Sequence, residues 1–137
     1  MAGPDSDPLV PVRIVVHKVS RVLEIQYGDG RSFRLPFEFL RVYSPSAEVR
    51  GHGPGQEVLQ VGKAEVDVNS LETVGHYAIQ PKFSDGHATG IYSWDYLHRL
   101  AVNQEEMWQA YLRRMEEAGA SRHGGPPMSA KPLSRPR

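Results

Sequence analysis

Between Val12 and His17 the chain alternates: Val12, Ile14 and Val16 fall on one side, Arg13, Val15 and His17 on the other. A period of two residues belongs to a half-buried strand. After a short polar turn, residues 22–27 continue in the same manner, and Gly28-Asp29-Gly30 follows, a hairpin signal because glycine accepts positive φ. Phe33 and Leu35 then alternate with Ser32 and Arg34, which completes a three-stranded antiparallel meander. Pro36 suits the first position of a short helix over residues 37–42, which would bury Phe37, Phe39 and Leu40.

The next segment, 43–56, holds two prolines and three glycines and reads as a loop. A strand is expected at 57–61, a turn at Gly62-Lys63, and a further extended piece where Val66 and Val68 alternate with Asp67 and Asn69. Residues 76–83 and 88–92 form a second hairpin pattern around Ser84-Asp85-Gly86-His87. Helical spacing then takes over, with Trp94, Leu97, Leu100 and Ala101 on one face. Asn103 with Glu106 three residues on reads as a capping box. Met107, Trp108, Tyr111, Leu112 and Met115 recur at helical spacing, as core packing, until Gly119 ends the run. The pattern predicts an α+β fold: antiparallel β-sheets of about six to seven short strands, a short helix after the third strand and a C-terminal helical segment.

At 137 residues with 39% apolar side chains the chain suits a single modest core. Residues 1–10 lack periodicity and read as a disordered N-terminus, 11–119 as the domain, and 120–137 as a disordered basic tail. No stretch approaches the roughly 18 apolar residues of a membrane span. The start, Met-Ala-Gly-Pro-Asp-Ser-Asp-Pro, has neither the basic nor the apolar region of a signal peptide, so a cytoplasmic location is expected. With no cysteine there is no disulfide, thiolate nucleophile, cysteine-held cluster or zinc finger. All 16 acidic residues lie in 1–119 beside 12 of the 16 basic ones, while Arg122, Lys131, Arg135 and Arg137 charge the tail. An acidic body of this kind is not expected to bind nucleic acid.

Two loops carry the candidate chemistry. His52 lies in Gly51-His52-Gly53-Pro54-Gly55-Gln56, and His87 follows Asp85 by two residues. Two imidazoles and a carboxylate are a donor set for Zn²⁺ or Fe²⁺. The His-x-Asp/Glu order of the iron oxygenases is missing, however, because two residues after each histidine stands Val19, Pro54, Ala78, Thr89, Leu100 or Gly125. The plainer reading makes Asp85-Gly86 a hairpin turn with His87 bonded to nearby backbone. Ser44, Ser46 and Ser84 are candidate nucleophiles, but there is no Gly-x-Ser-x-Gly elbow, and Ser44-Pro45-Ser46-Ala47-Glu48 reads more simply as turn and helix-start chemistry. The glycine loop at 51–55 resembles an anion-binding nest, yet it lacks the Lys-Ser/Thr ending of a P-loop.

Three stretches taken together carry a family resemblance: residues 40–49 from Leu40-Arg41-Val42-Tyr43 onward, Gly51-His52-Gly53-Pro54-Gly55, and Asp85-Gly86-His87-Ala88-Thr89-Gly90-Ile91-Tyr92-Ser93-Trp94. Over about residues 12–102 the chain resembles the bacterial family of unknown function named for the N-terminal domain of gamma-butyrobetaine hydroxylase. In the larger hydroxylases this domain precedes a jelly-roll dioxygenase domain that performs the chemistry, so the chain resembles the accessory part alone. The resemblance implies a structural zinc held by three cysteines and a later histidine. Their positions here are Ser44, Ser46, Val49 and His87, and three of those four ligands are gone. Free-standing members, and copies fused to Mrp-type P-loop ATPases, imply a partner role in iron–sulfur cluster assembly.

The expected function is therefore a non-catalytic interaction domain, with Ser44, Ser46, Glu48, His52, Gln56, Asp85, His87 and Tyr92 as the residues its loops present, and no cofactor. The alternatives are a metal-binding protein using His52, Asp85 and His87, and a small enzyme with an unrecognised site.

Overall fold

The computed structural model describes residues 8–51 and 55–123. Strands β1 (Arg13–His17), β2 (Val22–Gln26) and β3 (Ser32–Pro36) form one antiparallel meander, with Ile14 opposite Ile25 and Leu23 opposite Leu35. Alternation decides the faces: Leu23 and Ile25 are buried, and Glu24 between them turns outward to pair with His17 at 2.7 Å. Pro36 closes β3 and caps helix α1 (Phe37–Val42), as its fixed φ and missing N–H allow. Helix α2 (Ala47–Arg50) is a single turn capped by the Ser46 hydroxyl, which accepts from the Glu48 amide at 3.2 Å.

The second sheet contains β4 (Val68–Val74), β5 (Ala78–Phe83) and β6 (Tyr92–Ser93), antiparallel in that order, with an irregularity between Val68 and Ser70. Helices α3 (Trp94–Val102) and α4 (Gln104–Ala118) complete the chain. Leu23, Ile25 and Leu35 of the first sheet, Ile79 and Tyr92 of the second, Phe37 and Leu40 of α1, and Leu97 and Leu100 of α3 make one continuous apolar core. The α+β expectation holds, with six strands among the described residues, within the six to seven expected.

All six residues of α1 are buried, including Glu38 and Arg41. Buried charge needs a partner. Arg41 gives Nε to Asp85 at 2.9 Å and Nη1 to Gln60 at 2.8 Å; Glu38 takes a two-pronged grip from Arg122 at 2.7 and 2.8 Å. These bonds tie the first helix to three distant stretches of chain.

Four local expectations come out differently. Residues 57–61 form no strand, because their polar groups are committed elsewhere: the Val58 amide donates to Val49 O, and Gln60 O accepts the Tyr111 hydroxyl at 2.6 Å. The second hairpin is nearly all loop on its return side. The Gln80 side chain, rather than a ladder partner, reaches Ala88 O, and pairing resumes only at Tyr92. Asn103 makes no capping box; it also ends α3, and its side chain turns back to Arg99 O at 2.9 Å. Past Gly119 the chain still holds the body, with Gly62 and Ala64 donating to Ser121 O and Arg122 O at 2.9 Å. The last described contacts therefore lie a few residues beyond the expected domain boundary. Residues 1–7 and 124–137, most of the expected disordered ends, lie outside the described residues.

Candidate functional site

Ser44 leaves α1 at its C-terminal end, and His87 sits at the turn after β5; the fold brings them together across 43 positions of sequence. Ser44 Oγ and His87 Nε2 are 2.8 Å apart, and His87 Nδ1 lies 3.0 Å from Glu48 Oε1. An ionised carboxylate has no proton to give, so Nδ1–H donates to Glu48 and Nε2 accepts the Ser44 hydroxyl proton. The Ser46 amide donates to the same Ser44 oxygen at 3.3 Å. A Cβ on Gly90 would stand 2.4 Å from Ser44 Oγ, so only glycine lets the 84–91 loop lie so close.

Burial and the Arg41 charge push the His87 imidazole below its ordinary value, against the opposing pull of Glu48 and Asp85. The ring is thus neutral near pH 7, as the bond from Ser44 requires. For Asp85, burial raises the carboxyl, but the Lys63 hydrogen bond, the His87 amide and the Arg41 charge outweigh it and bring it down to about 2. Its oxygens accept Arg41 at 2.9 Å and Lys63 at 2.6 Å. Asp85 is therefore a fixed anion that locks the turn to α1.

Serine, histidine and acid in that order are the parts of a nucleophilic relay. Acyl transfer, however, needs a carbonyl carbon within about 3.5 Å of the oxygen. Ser44 is 1% exposed and the His87 side chain 3%, with Gly90 pressed against the hydroxyl, while the acid, Glu48, is 67% exposed. A carbonyl has no approach to Oγ in this arrangement. The family's zinc fares no better in this donor set. The Ser44 proton goes to His87, the Ser46 hydroxyl caps α2, Val49 has no donor atom, and both His87 nitrogens are bonded. Among the described residues no three His, Cys, Asp or Glu side chains converge as a metal site.

Of the loop residues expected to face a partner, Glu48, Gln56 and Asp85 stand at the surface. Ser44, Ser46 and His87 are buried in the bonded cluster. Tyr92 is wholly buried, and its hydroxyl donates to Leu40 O. His52 lies outside the described residues.

Beside this cluster runs a groove of about 530 Å³ between residues 42–51 and 57–60 on one side and helices α3 and α4 on the other. Val42, Val49, Met107 and Tyr111 line it, and Arg50, Arg99 and Arg114 border it with Glu57. The Arg50 and Arg99 guanidiniums both sit over the Tyr96 ring, at 5.0 and 5.9 Å from its centroid. Sequence reasoning missed this groove. Its arginines come from three separate helices, and on each one an arginine at a polar helical position reads as solvated surface.

The family model of gamma-butyrobetaine hydroxylase-like N-terminal domains matches residues 14–98. A solution NMR structure shares 45% identity over 85% of this chain and 93% of its own, with a TM-score of 0.73. A second shares 42% identity over 98% of this chain and 93% of its own, with a TM-score of 0.72. A crystal structure from Acidithiobacillus ferrooxidans ATCC 23270, of a DUF971 family protein with unknown function, shares 44% identity over 70% of this chain and 98% of its own, with a TM-score of 0.59. No functionally curated protein matches. This chain belongs to the family of gamma-butyrobetaine hydroxylase-like N-terminal domains.

Proposed function

We propose that this chain is a non-catalytic interaction domain, working in the cytoplasm, whose partner class is the Mrp-type P-loop ATPase of iron–sulfur assembly to which the family resemblance points. The observation that carries the reading is the state of Ser44, buried and committed to His87 where a reaction would need it open. The same bonds make the 84–91 loop rigid, and a recognition surface gains affinity by being ordered before it binds. Gln56 and Ile91 stand outward on the two loops. Mixed with a purified Mrp-type ATPase, the full chain is expected to co-elute in gel filtration, and Gln56→Lys with Ile91→Asp to weaken that complex. Separate elution of the two proteins at micromolar concentration contradicts the proposal.

One observation favours a second reading, a small hydrolase: the Ser44–His87–Glu48 bond order, with Ser44 at the wall of the groove. An active-serine phosphonate probe decides between the two. Labelling at Ser44 that disappears in His87→Ala would put the hydrolase first.

A further inference from the structure

We infer that the groove beside α4 is a binding site for a small organic acid: a carboxylate carried on an apolar body. Two features converge there. Val42, Val49, Met107 and Tyr111 give an apolar lining, and a volume of about 530 Å³ falls within the usual range for small-molecule sites. Around it stand three of the 12 basic residues of an otherwise acidic body, against one acid, Glu57.

Those arginines have no carboxylate to neutralise them. Among the described residues Arg50, Arg99 and Arg114 join no ion pair, as is also true of Arg13 and Arg113 away from the groove, whereas Arg21, Arg31, Arg34, Arg41 and Arg122 each do. Arg50 and Arg99 are instead held over the Tyr96 ring, which fixes two guanidiniums at one place. Arg50 also gives a hydrogen bond to the Tyr96 hydroxyl, and the remaining N–H groups of a guanidinium held over a ring match a carboxylate in two parallel bonds. The tyrosine hydroxyls are not rivals for the ligand: Tyr96 donates to Tyr43 O at 2.6 Å, Tyr43 to Met107 O at 2.7 Å and Tyr111 to Gln60 O at 2.6 Å. The wall is thus aromatic and aliphatic in character, with cationic edges at its border. An anionic head with an apolar body satisfies both halves at once. A bare anion leaves the apolar lining wet, and a neutral lipid leaves three charges unanswered.

This site does not depend on the docking role proposed above. The test is an amide NMR titration of the full chain with decanoate, with decanol and inorganic phosphate as separate arms. Decanoate is expected to shift the amides of Val49, Arg50, Val58, Met107 and Tyr111 and to saturate. Arg99→Gln with Arg114→Gln is expected to weaken it about tenfold or more, the scale of a lost charge-assisted bond. Val58→Trp, at an exposed position on the groove border, is expected to obstruct it while the rest of the spectrum keeps its parent pattern. The proposal is overturned if decanol or phosphate binds as tightly as decanoate, if the arginine variant binds unchanged, or if the shifts fall elsewhere. It is equally overturned if an acidic peptide shifts these amides and decanoate does not.

Discussion

Ser44 and His87 hold each other in a place where neither can reach water, so cutting either one leaves a buried polar atom alone. Ser44→Ala strips His87 Nε2 of its proton donor, and an unsatisfied buried group costs about 1–3 kcal/mol. A urea midpoint lowered by that amount is expected; an unchanged midpoint would mean water replaces the hydroxyl. Gly90→Ala attacks the same bond by crowding, since the added carbon would sit 2.4 Å from Ser44 Oγ, and overpacking of this kind costs about 1–3 kcal/mol. His87 also sets a pH dependence. Its native pKa lies below the ordinary 6.5, so between those two values the unfolded chain binds the extra proton. Stability is expected to fall as pH drops through about 6.5 and to level off below the native value. Asp85, held at about 2, adds a second decline below its ordinary 3.8. A parent and a His87→Gln variant with identical melting profiles between pH 7 and 5 would refute the histidine's part.

Among the elements, α1 depends on what reaches it from far along the chain. Arg122 is the partner of buried Glu38, and its guanidinium also lies 5.3 Å from the Trp108 ring centroid. Arg122→Ala leaves a buried carboxylate unpaired; because the arginine is itself partly exposed, the cost is put at about 2–3 kcal/mol rather than the full value of a buried pair. Thermal unfolding of a chain ended at Gly119 is expected to show at least that loss, since the bonds from Gly62 and Ala64 go too. A truncated chain that melts like the parent would show that this anchor carries no stability. Trp108 is expected to matter as well. It is half-buried against Phe39 and Tyr111, and Trp108→Ala should cost about 2–4 kcal/mol. The meander, α1 and the apolar faces of α3 and α4 were legible because period and punctuation agreed along each stretch. The 57–61 segment was misread because it looks extended, and only the α2 turn and Tyr111, distant in sequence, decide that it pairs with no strand. Asn103 was misread because a junction between two helices gives one residue two capping duties, and it serves the first.

At the scale of the molecule, sequence and structure divide the candidate site unevenly. His87 and the three positions Ser44, Ser46 and Val49 could be aligned with a family's zinc ligands from the sequence. That Ser44 and His87 bond directly could not, because no spacing rule reaches across 43 residues. The arginine-bordered groove was invisible for the same reason, since it exists only once α2, α3 and α4 are packed. Across the described residues no helix is long and apolar enough to cross a membrane. What remains is a closed polar cluster that ties the 84–91 loop to α2, with an open groove alongside. On the function proposed above, this surface is read by a protein partner and is not a reaction site. Hydrogen exchange measured on the full chain with and without a purified Mrp-type ATPase tests it most directly. Added protection is expected around Glu48 and Gln56 and around Asp85 to Ile91, with the far edge at β1 unchanged. Exchange that is identical with and without the ATPase, or protection confined to β1, would contradict it.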